Sequence, residues 1–187
     1  MWLPDKSEAL EFLRTYIKAE NLIRHMIATD AIMRALARKL GQDENLWGIT
    51  GLLHDMDLEI VDNNMKRHTR ETARILEQKG FPPEGIEAIQ SHNEEAGVVR
   101  ISKPFHYALT AAETITGMVV ACTLVYPSKK VADVQPKSIR KRMKETRFAA
   151  NVNRESIMAV EKLGIPLDDF IGLSLEAMKG VAAEIGL

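Results

Sequence analysis

Leu46-Trp47-Gly48-Ile49-Thr50-Gly51-Leu52-Leu53-His54-Asp55 is an apolar stretch, punctuated by two glycines and closed by an adjacent histidine and aspartate. It reads as a helix over about 44–55. Gly48 and Gly51 carry no Cβ, so neighbouring helices can approach this one closely. His54 and Asp55 diverge by about a third of a turn on a helix. They can therefore reach one ion from two directions; the competing reading is a capping aspartate after a core histidine.

Outward from this stretch, helical periodicity dominates. Between Asn21 and Leu40, Leu22, Ile32, Leu36 and Leu40 recur at spacings of three, four and their multiples, and Gly41 supplies a stop. Helices are expected at about 5–18, 21–40, 44–55, 66–79, 83–93, 104–125, 137–147, 153–163 and 167–185. Pro83 and Pro166 stand near helix starts, where a missing N–H does little harm. No alternating strand, internal repeat or low-complexity segment is present. The fold class is therefore all-α, a single compact domain of about seven to nine helices over 1–187. The break at Pro127 to Pro136 separates a core of about 1–126 from a C-terminal helical layer of about 137–187, too small to fold alone.

The chain has 187 residues, 45% hydrophobic and 27% charged, an ordinary globular balance. Its 25 basic and 26 acidic residues leave a net charge of -1. That charge offers no general attraction to nucleic acid or an anionic membrane. The lone Cys122 sits in an apolar run and reads as a buried small hydrophobe. The N-terminus lacks a charged leader followed by an apolar signal core, and the apolar run from Met118 to Tyr126 is too short to span a bilayer. A cytoplasmic location is expected, and the composition is compatible with a homodimer.

Five histidines are present. His25 shares a stripe with Leu22, Thr29, Ile32 and Leu36. His68 leads Thr72, Ile75 and Leu76, and His92 closes Ile86 and Ile89. One inward histidine reads as a satisfied core residue. Several in one small domain point to convergence on a metal, the commonest partner of neutral imidazole. Glu113 shares a helix face with Leu109, Gly117 and Val120, where a carboxylate is costly unless paired or metal-bound. A salt bridge or a protonated, hydrogen-bonded acid would also satisfy it; metal ligation is the preferred reading. His106, two turns before Glu113, is expected to be structural.

The order His25, His54-Asp55, His68, His92, Glu113 resembles the HD-domain superfamily of metal-dependent phosphohydrolases, especially its small prokaryotic HDIG-type members. The words Gly51-Leu52-Leu53-His54-Asp55, Ala88-Ile89-Gln90-Ser91-His92-Asn93 and Ala111-Ala112-Glu113-Thr114-Ile115-Thr116-Gly117 carry the likeness. Lys141-Arg142-Met143-Lys144 and Phe148-Ala149-Ala150-Asn151-Val152-Asn153-Arg154-Glu155 extend it. The resemblance implies one metal held by His25, His54, Asp55 and Glu113, and a second held by His68, His92 and a bridging Asp55. It also implies His54 and Asp55 as the catalytic pair, one or two divalent ions (Fe, Mn, Co, Ni or Zn, with Mg admissible), and a metal-bound hydroxide as nucleophile. Two departures stand out. Glu113 occupies a slot that is usually Asp, and Met56-Asp57 follows the pair, with Asp57 read as an extra carboxylate or a loop cap.

Lys66, Arg67, Lys141 and Arg154 are the candidate phosphate-binding cations, each with a solvated surface as the alternative. Lys137, Arg140, Lys141 and Lys144 share a stripe that could read an anion if the C-terminal layer folds over the site. The expected substrate is a small phosphorylated metabolite, a nucleotide or a phosphoester. The alternatives are a non-catalytic regulator that binds a nucleotide or metal, and a di-iron oxygenase.

Overall fold

The computed structural model describes residues 1–187. Ten α-helices and three 3₁₀ turns account for its regular structure, and it has no strand. The helices are α1 (Lys6–Tyr16), α2 (Glu20–Leu40), α3 (Glu44–Leu53), α4 (Arg70–Lys79), α5 (Pro83–Ser91), α6 (Pro104–Val125), α7 (Pro136–Met143), α8 (Arg154–Met158), α9 (Leu167–Gly180) and α10 (Ala182–Ile185). The expectation of an all-helical chain is met. The expected helix over 153–163 continues beyond Met158 as a 3₁₀ turn, and that over 167–185 breaks at Val181.

Local chemistry explains most of the ends. Asp5 and Asp43 accept backbone N–H groups of α1 and α3 as N-caps. Gly41 closes α2 in the left-handed conformation (φ 65°), its N–H returning to Ala37 and Arg38 carbonyls. One start was misjudged. A helix was expected from about residue 66, whereas α4 begins at Arg70 and residues 54–69 form a run of turns. Asp62 and Asn63 adopt positive φ there, a conformation these short polar side chains tolerate.

A single cluster of 46 buried residues runs from Ala9 in α1 to Ile185 in α10. Helix α2 is its axis, packed most extensively on α3 and then on α6 and α9. The two glycines of the opening stretch make the α2–α3 contact close. A Cβ at Gly51 would stand 2.9 Å from Met33 Cγ and 3.1 Å from the Thr29 carbonyl oxygen, and one at Gly48 would meet the Arg34 side chain at 2.6 Å. Trp47 of α3 stacks on Phe105 of α6, centroids 4.7 Å apart. Gly51→Val is therefore expected to force α2 and α3 apart, destabilising the fold by about 2–3 kcal/mol. A thermal melt should show a loss of roughly 4–12 °C; an unchanged midpoint would mean that the helices separate freely.

Helix α6 qualifies by length and composition as a membrane span, with a mean hydropathy of 1.6. Much of the helix is buried inside the protein, where it forms a wall of the core.

Candidate metal centre

Each histidine of the centre is held by a different device. His54 and His92 stand at the C-terminal ends of α3 and α5, where the last carbonyls lack intrahelical partners. His54 Nδ1–H donates to the Gly51 carbonyl (2.8 Å) and His92 Nδ1–H to the Ile89 carbonyl (2.6 Å). His68 lies in the turn just before α4, not on the helix as expected, and its Nδ1–H donates to Asp57 Oδ1 (2.7 Å). His25 comes from α2, and its Nδ1 meets Thr116 Oγ1 at 2.9 Å. The Thr116 hydroxyl proton is directed at the Glu113 carbonyl (2.6 Å), so Thr116 accepts from His25 Nδ1–H.

Each of the four imidazoles therefore has its Nδ1 engaged by an oxygen and turns its Nε2 toward the others. These Nε2 atoms converge. His25 and His54 Nε2 are 3.2 Å apart, and His68 and His92 Nε2 are 3.1 Å apart. Asp55 lies between the two pairs. Its Oδ2 faces His54 (3.3 Å) and His25 (3.6 Å), and its Oδ1 faces His68 (3.2 Å) and His92 (3.4 Å). Two overlapping groups result, His25-His54-Asp55 and Asp55-His68-His92, each with donor atoms within 4.8 Å of one another. Nε2 atoms this close to one another and to a carboxylate need positive charge among them, which protons or a metal ion can supply. Imidazole and carboxylate together suit a borderline divalent metal.

The electrostatics agree. Burial works to raise Asp55, but His54, His68 and His92 outweigh it and hold the carboxyl well below its ordinary value. Burial opposes charge on His68, yet hydrogen bonds to Asp55 and Asp57 raise it to about 9. Desolvation, with His54 beside it, lowers His25 to about 4. Protons and metal ions thus compete for the same Nε2 atoms.

The family model for the HD domain matches residues 22–117, just over half of the chain and the whole stretch from His25 to Thr116. The chain belongs to the HD domain family. This HD chain is also 24% identical over 171 residues to Ribonuclease Y of Sulfurovum sp. (strain NBC37-1). The alignment covers 89% of this chain and 33% of that relative, so the chain spans about a third of the relative's length. No solved structure matches this HD chain.

Glu113, expected to complete the first group, stands outside both. Burial raises its carboxyl to about 7. Thr114 Oγ1 has one proton and two partners, the Thr110 carbonyl at 2.7 Å and the Glu113 carboxyl. Thr114, as donor to that carboxyl, works against the rise that burial causes, and His54 lowers it further. Glu113→Gln is expected to retain wild-type metal content by elemental analysis; loss of one equivalent would place the carboxylate among the ligands.

Asp57 proves to be neither an additional ligand nor a simple loop cap. It is fully buried, orients His68 through Oδ1, and accepts the Thr72 N–H through Oδ2 (3.0 Å), capping α4 from outside that helix. Asn93 ties the same turn down, donating to the Met65 and His68 carbonyls at 2.7 and 3.2 Å. Thr116, Asp57 and Asn93 escaped the sequence reading as supports of the centre. Their only signal was position, close along the chain to Glu113, Asp55 and His92. His106 is buried, with Nδ1 accepting from the Ser102 N–H at 3.4 Å, in keeping with a structural role.

The four candidate cations divide. Lys66 and Arg67 are exposed immediately before His68 and take part in no ion pair. Arg154 is a correction. Its guanidinium donates to the carbonyls of Ala149 (2.7 Å), Val152 (2.6 Å), Glu145 (3.1 Å) and Phe148, so it pins the loop before α8 and has no fork free for phosphate. Lys141 is a second correction. It borders a separate cavity of about 280 Å³ with Cys122, Tyr126, Ser138 and Arg142. The C-terminal layer reaches the centre through the start of α8, because Asn153, Glu155 and Ser156 share a cavity with His92, and not through the basic stripe of α7.

Proposed function

We propose that the protein is a metal-dependent phosphohydrolase acting on a small phosphorylated metabolite, a nucleotide or a plain phosphoester. The observation that carries this reading is the convergence of four Nε2 atoms on the two oxygens of Asp55. Divalent ions held there would supply Lewis acidity to phosphoryl oxygens and acidify a coordinated water.

The chain's own residues do the rest. Asp55 couples the two halves of the centre, one oxygen to each histidine pair. The Gly51 and Ile89 carbonyls, Thr116 and Asp57 keep each Nδ1 protonated and each ring in place. Lys66 and Arg67, exposed and unpaired beside His68, are the cations available to a phosphoryl group. Glu94, Glu95 and Glu155 border the cavity on the His92 side and would repel a long polyanion. That favours a small substrate over a nucleic acid, although the matched relative is called a ribonuclease. A cytoplasmic location, free of membrane attachment, belongs to the same proposal.

The test is elemental analysis of tag-free protein followed by a phosphoester panel with added Mn, Co or Ni under anaerobic conditions. Near-stoichiometric metal and anaerobic turnover are expected. Metal without turnover would indicate a binding regulator, and turnover only with iron and oxygen would indicate an oxygenase. Absence of metal even after reconstitution would sink the hydrolase reading.

A further inference from the structure

The centre is not equally closed on its two sides. His25 is the most open of the converging side chains, 25% exposed, against 1% for His54, 4% for His68, 7% for His92 and 12% for Asp55. It borders a cavity of about 490 Å³ between α2, α6, α9 and α10. The other walls of that cavity are largely aliphatic, formed by Ala28, Val120, Ala121, Leu124, Met178 and Ile185. Arg24, exposed, stands at its edge against Gly186. No Phe, Tyr or Trp lines it. The His92 side differs in kind, being bordered by three glutamates.

We propose that the cavity beside His25 receives the hydrocarbon part of the substrate, so that the centre acts on a phosphoester of an aliphatic alcohol. The inference rests on the hydrolase reading above and narrows its substrate class. Three features argue for it. The cavity shares His25 and Thr116 with the centre, so a group seated there lies against one of its histidines. Its volume falls in the ordinary range of small-molecule sites. A nucleobase would find no aromatic surface to stack on, whereas an alkyl chain would find an apolar wall and a guanidinium at the edge. Each buried methylene there should tighten binding roughly fourfold.

Calorimetric titration of the full chain with methyl-, butyl- and hexylphosphonate tests this, because the C–P bond resists hydrolysis. The titration is run on Mn-loaded and on chelator-treated protein. Affinity is expected to rise roughly fourfold per methylene in both forms. Ala121→Trp, which fills the cavity, should flatten the series while circular dichroism and metal content stay at wild-type values. Leu124→Asn, at a side chain 53% exposed, should lower the slope with less risk to folding.

A flat series in wild-type protein that still cleaves phosphoesters would overturn the inference and leave the hydrolase reading standing. A rising series in protein that neither loads metal nor cleaves esters would overturn the hydrolase reading and the substrate class with it, leaving only an alkyl-binding cavity. A concentration-dependent dimer that Leu124→Asn dissociates, together with a flat series, would assign the cavity to a second copy of this chain and also overturn the proposal.

Discussion

Asp55→Ala is expected to leave the protein without bound metal at either half of the centre. No other residue serves both halves, since each carboxylate oxygen of Asp55 faces its own histidine pair at 3.2–3.6 Å. Removing either oxygen's histidines would disable one group; removing the carboxylate disables both. It also takes away the only negative charge common to four imidazoles, so two cations would sit there uncompensated. Elemental analysis should fall from near one or two equivalents to none. Turnover on the best phosphoester should drop by roughly 10²–10³-fold or more. Added Mn should raise the melting temperature of the wild type, because it binds the folded state alone, and should leave that of Asp55→Ala unmoved. Metal retained in the variant would show that the four histidines hold it unaided, and Asp55 would lose its place as the bridge.

Asp57→Asn is expected to damage one half of the centre and spare the other. Asp57 accepts two hydrogen bonds, from His68 Nδ1–H and from the Thr72 N–H. An amide has a single acceptor oxygen and would turn its NH₂ toward one of these two donors. Either His68 loses its orienting partner or α4 loses its cap. Loss of such an orienting contact typically weakens metal binding by 10–100-fold. A metal titration should therefore show the His68–His92 half weakened by about that factor, while the His25–His54 half keeps its affinity. A merely structural role would instead lower the melting temperature and leave both affinities alike. Equal weakening of both halves would mean that the two ions bind as one cooperative unit.

The residues of the centre were legible in the sequence to an unusual degree. His25, His54, Asp55, His68 and His92 stand out because each is a polar group set on an apolar face or at the end of an apolar helix, where burial without a partner is costly. The helices that carry them could be read from periodicity, and Gly48 and Gly51 announced the close contact of α2 with α3. What misled was side-chain direction. Arg154 was read as a phosphate ligand because a cation near a helix start commonly faces solvent or anion; here four backbone carbonyls of the preceding loop claim it. Glu113 has the helix face expected of a ligand, and its carboxyl lies against Thr114 and belongs to neither group of converging donors.

The sequence by itself therefore determined the all-helical class, the HD-type order of ligand candidates and a set of inward histidines suited to a metal. These are properties of residue type and spacing, which local periodicity and burial chemistry dictate. Only the tertiary structure decided which nitrogen of each ring faces inward, that Asp57 stands behind His68, and that the cavity opening on His25 is aliphatic. Those features depend on contacts between residues as far apart as His25 and Thr116, which no local pattern encodes.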